Sequence, residues 1–301
     1  VLAHTTGTPG QIATDGTSVA WTQTGLSSSH GGVYSVNNTA ANQTPTVIDS
    51  VAGTTYTAPI GMASGTIYYL ASQGTTGYEG YGSAGVAGSG NNLGTLGPNI
   101  VGYGVGVSPS GTTVVYGAYN ASSTTVYVLA CTVPAGPCHL ASSQVDANGI
   151  NGIVTDGTNA YYTQAGGLKF VPLTGGFSPA SFLSGLGSPA DIAIPSTGGY
   201  VYFTDNASEY FYRSPIPTAS RMMLVDNSAS GSSCYGLAVD AKYYYFTDSV
   251  GIIYEPAGGG TNPAAGLWEG GVSPTALAVD SKALYFIDTG AATINKLALP
   301  P

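Results

Sequence analysis

Residues 236–248 read Gly236-Leu237-Ala238-Val239-Asp240-Ala241-Lys242-Tyr243-Tyr244-Tyr245-Phe246-Thr247-Asp248, and residues 276–288 read Ala276-Leu277-Ala278-Val279-Asp280-Ser281-Lys282-Ala283-Leu284-Tyr285-Phe286-Ile287-Asp288. Each is an apolar run ending in Ala-Val-Asp, a short polar link, and an aromatic run ending in a second aspartate. Short runs of apolar, β-branched and aromatic residues interrupted by Asp with small or polar neighbours predict two antiparallel strands joined by a tight turn. The module recurs along the whole chain. Trp21, Tyr69, Tyr116, Tyr162, Phe203, Phe246 and Phe286 end seven aromatic strands, at spacings of 48, 47, 46, 41, 43 and 40 residues.

Each aromatic strand follows an apolar strand, clearest in Gln11–Asp15, Gly152–Asp156, Gly236–Asp240 and Ala276–Asp280, and diverged where it ends at Ser64, Ser108 and Pro195. A third strand such as Gly167–Leu173 and a weaker fourth such as Ala180–Leu183 come after it. Four short strands per 40–48 residues predict one blade of a β-propeller. Seven repeats predict an all-β, seven-bladed ring of four antiparallel strands per blade. The blades fall at about 10–50, 58–96, 102–143, 151–184, 190–226, 235–268 and 275–299, in one domain spanning 1–301. The last blade is one strand short, and Val1–His4 has no blade of its own, so the N-terminal strand is expected beside 293–299 to close the ring. Small residues at Ala13, Gly106, Ala193, Ala238 and Ala278 suit inner strands that converge on an axis.

Tyr202-Phe203-Thr204-Asp205, Tyr245-Phe246-Thr247-Asp248, Tyr285-Phe286-Ile287-Asp288 and the Ala-Val-Asp ends at Asp240 and Asp280 resemble the Tyr-Trp-Thr-Asp class of propellers and bacterial repeats similar to virginiamycin B lyase. Blade 4 adds Val171-Pro172-Leu173-Thr174-Gly175-Gly176, while blades 2 and 3 fit the pattern poorly. The resemblance implies the fold. The lyase-type relatives use histidine and a metal-binding glutamate in their late blades, but no histidine follows His139 here, so that set does not carry over.

Six Lys plus Arg stand against 15 Asp plus Glu, a net charge of −9, and only 7% of residues are charged. Such a chain has no cationic surface for a phosphate backbone, which excludes nucleic acid as a partner. It has no apolar run long enough for a membrane-spanning helix. No Lys or Arg precedes Lys169. A polar, nearly uncharged exterior suits an extracellular protein exposed to changing salt or acid. Cys131 and Cys138 bracket Thr-Val-Pro-Ala-Gly-Pro between two strand-like runs, and residues facing across a hairpin lie within disulfide reach. The expected bridge implies an oxidising compartment, whereas Cys234 has no evident mate. A start without Met agrees with a removed export signal, so a secreted or cell-surface location is expected.

Histidine occurs only at positions 4, 30 and 139, and no spacing supports a metal centre or a base–nucleophile pair. No catalytic residue is assigned. Asp205, Asp248 and Asp288 end the aromatic strand in three consecutive blades and should recur on one face. They read either as a partial carboxylate ring for Ca²⁺ or as aspartates bonding their own turns. Gln23 and Gln164 at the same place in blades 1 and 4 favour turns, and no cofactor is required. His30, Glu209, Tyr235, Trp268 and Glu269 are expected on the same loop face and complete the candidate ligand-binding set. Tyr78 and Tyr81 in Tyr78-Glu79-Gly80-Tyr81-Gly82 are expected on an exposed irregular loop.

These residues lead to a non-catalytic recognition module for a glycan or a protein partner. A second reading is a self-associating subunit of an extracellular surface layer or fibre. A third is a lyase or hydrolase of propeller type, which requires two close carboxylates or a metal.

Overall fold

The computed structural model describes residues 1–25, 31–51, 54–56, 60–73, 76–133, 138–176, 178–226, 236–248, 251–257, 266–270 and 273–300. At positions 73, 78, 94–97, 225–226, 248 and 266–270 only the backbone is described.

Seven antiparallel sheets follow one another in chain order, each an up-and-down meander. Blade 1 consists of Thr8–Thr14, Ser18–Thr24, Gly32–Asn37 and Thr46–Asp49. Blade 4 consists of Gly152–Thr155, Asn159–Gln164, Gly167–Pro172 and Ala180–Ser184. Blade 5 has Pro189–Ala193, Tyr200–Asp205, Tyr210–Pro215 and Met222–Asp226, and blade 6 has Leu237–Val239, Tyr243–Asp248, Gly251–Pro256 and Gly266–Gly270. The chain is an all-β, seven-bladed propeller.

Blades 2 and 3 depart from this gauge, which explains their poor fit to the repeat. Blade 2 splits its first strand into Thr54–Thr55 and Ile60–Ala63, both paired with Thr66–Gln73, before Thr76–Ser83 and Asn91–Pro98. Blade 3 has Ile100–Val107, Thr113–Asn120, Thr125–Thr132 and Cys138–Val145, each eight residues long. The expected disulfide joins Cys131 to Cys138, which face each other across the last hairpin of that blade.

Closure is as the termini suggest. Blade 7 comprises Pro274–Val279, Ala283–Asp288 and Thr293–Ala298, and Ala3–His4 pairs with the last of these, Ala3 opposite Ile294 and His4 opposite Thr293. The Gln43 amide donates to the Leu2 carbonyl, so the same segment is also tied to blade 1.

Sheets radiate from the axis, so alternate side chains on a strand face alternate neighbouring blades. Consecutive aromatics therefore serve different seams. Tyr69 packs toward blade 1 and Tyr68 toward blade 3; Tyr162 packs toward blade 3 and Tyr161 toward blade 5. Trp21, Tyr69, Tyr116, Tyr162, Phe203, Phe246 and Phe286 are all buried. At about 1.5–3 kcal/mol for each large apolar side chain removed from water, these rings are the main cement of the ring of blades. The small inner-strand residues meet a steric demand: a Cβ on Gly106 would lie 2.7 Å from Val154 Cα and 2.9 Å from the Ile153 carbonyl of blade 4.

Candidate functional site

Where the first strand of a blade turns into the second, an aspartate organises the link. Asp156 Oδ1 accepts from the amides of Thr158 and Asn159 at 2.8 and 2.7 Å, and Asp240 and Asp280 do the same for the residues two and three positions on. Oδ2 then accepts from a tyrosine five residues on: Tyr161 at 3.0 Å, Tyr245 at 2.8 Å and Tyr285 at 2.9 Å. Burial and the adjoining carboxylate raise all three phenols above their ordinary value. Position 20, five residues after Asp15, is alanine, and Asp15 Oδ2 instead accepts from the Gly65 amide of blade 2 at 2.7 Å. Burial pushes the Asp15 carboxyl up, but the Ser18, Thr17 and Gly65 donors outweigh it and its pKa lies below the ordinary value.

The turns of Asp15, Asp240 and Asp280 rim an axial cavity of about 730 Å³. Its walls are inner-strand residues, among them Ile12, Ile60, Met62, Val105, Ile192 and Val279. Its rim carries Asp15, Ser108, Asp240, Lys242 and Asp280. The exposed unpaired edges of the inner strands add backbone donors and acceptors to an otherwise apolar wall. The sequence signal for this end is the Asp-x-x-x-x-Tyr spacing of Asp156 with Tyr161, Asp240 with Tyr245 and Asp280 with Tyr285.

The cavity rim lies at the opposite end of the blades from the face on which the candidate residues were expected. Asp205, Asp248 and Asp288 do recur at one level, each closing the hairpin from second to third strand, opposite Tyr210, Gly251 and Thr293. The Asp205 carboxylate is buried and accepts from the amides of Gly187, Ser188 and Ala207 at 3.0, 2.7 and 3.3 Å. Asp288 accepts from Ser273, Gly290 and Ala291 at 3.3, 3.0 and 3.1 Å. Each thus ties the loop entering its blade to its own hairpin. Among the described residues no three His, Cys, Asp or Glu side chains converge. Glu209 is half-buried in the hairpin turn of blade 5, with a positive φ of 57°. His30 and Tyr235 lie outside the described residues, as do the side chains of Tyr78, Asp248, Trp268 and Glu269.

One expectation is corrected. The segment holding Tyr78 and Tyr81 is a regular strand, Thr76–Ser83, in the interior of blade 2. Its glycines are clearance positions: a Cβ on Gly80 would strike the Tyr69 ring, and one on Gly82 would strike Ile48. Tyr81 is half-buried against the cluster of Tyr68, Leu70 and Tyr116. Between these tyrosines lies Glu79, a buried carboxyl that the pattern of glycines concealed.

No protein family matches the chain in sequence, and no curated protein matches it. Solved structures do match in shape. The propeller domain of Cps50 (Swd1) from Myceliophteria thermophila superposes with a TM-score of 0.68 at 12% identity, covering 100% of this chain and 98% of that one. BamB from Moraxella catarrhalis gives 0.60 at 12% identity, covering 97% and 86%. A chain of the nidogen/laminin complex gives 0.56 at 17% identity, covering 78% and 90%. At these identities the likeness is one of architecture, and this chain shares with them the β-propeller fold.

Proposed function

We propose that the protein is a secreted, non-catalytic binding module whose axial cavity receives an apolar segment of a protein partner. The cavity carries this reading. About 730 Å³ lies within the range of small ligand sites, with apolar walls and a few polar groups at the mouth to fix orientation. Tyr243 is the one aromatic residue among its described lining residues, so the site offers little stacking surface for sugar rings, which favours an apolar peptide over a glycan. The Cys131–Cys138 disulfide supports an oxidising, extracellular setting.

Ala241 and Ser281 are exposed rim residues, so Ala241→Trp and Ser281→Trp narrow the mouth without entering the core. A displayed peptide library and a glycan array should be screened with the native protein and both variants. Apolar peptides that bind the native protein and are lost at least tenfold in both variants support the reading. Glycan binding alone, peptide binding indifferent to both substitutions, or silence in both screens overturns it.

A further inference from the structure

Glu79 sits at the joint between blades 2 and 3, opposite Leu70 on the neighbouring strand. It is 2% exposed, and its Oε1 has no hydrogen-bond partner. Among the described residues the titratable groups around it are phenols: Tyr68 from the second strand of blade 2, Tyr81 from its own strand, and Tyr116 from the second strand of blade 3. The first strand of blade 3 contributes Val105, and its Tyr103 packs on Tyr119 instead. Leu93 comes from the fourth strand of blade 2.

No countercharge is at hand, because no Lys or Arg precedes Lys169. Lys169 itself is paired with Asp146 at 3.5 Å, the one ion pair among the described residues. His139, on the far edge of blade 3, is bonded to the Leu173 carbonyl of blade 4. An ionised Glu79 would be a bare charge among apolar and phenolic groups, whereas the neutral acid fits the joint.

Burial also raises two other carboxyls, half-buried Asp191 in blade 5 and phenol-bonded Glu255 in blade 6. Among the described residues no donor or cation reaches the Asp191 carboxyl on the inner strand of blade 5, while its amide is used by Thr204. Glu255 in blade 6 is 2% exposed and accepts from the Tyr244 phenol. Arg213 at that joint is taken up by the Ala257 carbonyl and the Tyr200 ring.

We propose that this propeller is built to work in acid: a neutral Glu79 closes the joint between blades 2 and 3, and the joint loosens when the medium becomes alkaline enough to ionise it. Burial pushes Glu79 up from 4.5 to about 7 and Asp191 up from 3.8 to about 6. An acid whose pKa is higher folded than unfolded holds its proton more tightly in the fold. Its contribution is complete below about pH 4.5 and is lost as the pH rises through about 7.

Denaturant unfolding at pH 5 and pH 8 reads this directly. The native folding equilibrium should weaken between the two by roughly 50-fold more than that of Glu79→Gln, which keeps the shape and cannot ionise. Asp191 contributes equally to both proteins and cancels. Equal pH dependence in the two overturns the proposal. Should Glu79→Gln fail to fold, a ¹³C NMR titration of the native Glu79 carboxyl decides: a midpoint near 7 supports the joint, and a midpoint below 5 overturns it.

Discussion

The Tyr285 phenol donates to Asp280 Oδ2 at 2.9 Å within blade 7, and its own hydroxyl oxygen accepts from Asn38 Nδ2 of blade 1 at 3.1 Å. Asn38 Nδ2 also donates to the Gly16 carbonyl, and Lys296 Nζ donates to the Asn38 carbonyl at 2.8 Å. One hydroxyl thereby couples a local turn to the seam at which the ring closes. Tyr285→Phe removes it and leaves buried polar groups short of a partner. A loss of about 1–2 kcal/mol is expected from denaturant midpoints. Tyr202→Phe, at the seam between blades 5 and 6, serves as a comparison away from closure.

Tyr161, Tyr245 and Tyr285 are each buried and bonded to a carboxylate, and all three are held above the ordinary phenol value of 10.0. Their neutral forms belong to the folded state, so they contribute stability that is lost as the pH rises above 10. Spectrophotometric titration should show exposed tyrosines ionising gradually, followed by a cooperative step that coincides with unfolding. Independent ionisation of every tyrosine near pH 10 in a still-folded chain would contradict the Asp–Tyr pairs.

Leu2 is buried among Trp21, Tyr285 and Ile294, where the N-terminal segment meets blades 1 and 7. Leu2→Ala should cost about 2–4 kcal/mol. The protection of blade 7 amides against hydrogen exchange should fall before that of blade 4. A uniform change around the ring would mean that closure is not local to this seam.

Gly106→Ala should destabilise by about 1–3 kcal/mol, because the new methyl meets backbone atoms of blade 4 that have no rotamer to retreat into. Gly166, with a φ of 85° and open space around it, provides the contrast. Its alanine variant carries only backbone strain, about 1 kcal/mol. Thermal midpoints of the two variants should rank in that order.

Reducing the Cys131–Cys138 bridge opens a loop with a sequence separation of 7 and should lower stability by about 2.5 kcal/mol on the chain-entropy account. The double variant Cys131→Ser, Cys138→Ser should reproduce the effect of reductant, and reductant should then do nothing further. Any residual response would point to chemistry elsewhere in the chain.

Asp240, Tyr245 and Phe246 show why so much of the architecture was legible. A strand of alternating apolar residues, an aspartate that bonds amides two and three positions ahead, and a doublet of rings for two seams are all local patterns. Tyr81 and Asp205 show where legibility ended. A glycine that makes room for a ring looks the same in sequence as one that makes a turn. A carboxylate available to a ligand looks the same as one consumed by amides 17 and 18 residues away.

The amino-acid sequence alone therefore determined the repeat, the number of blades, the strand that closes the ring and the disulfide, because each depends on neighbours along the chain and on a regular period. Only the tertiary structure decided which end of the axis carries the cavity rim, which aspartates are already occupied, and that Glu79 is sealed among phenols without a cation. Those outcomes depend on the environment that one blade imposes on the next. Burial and distance set the charge state of a carboxyl, and neither is a property of its own segment.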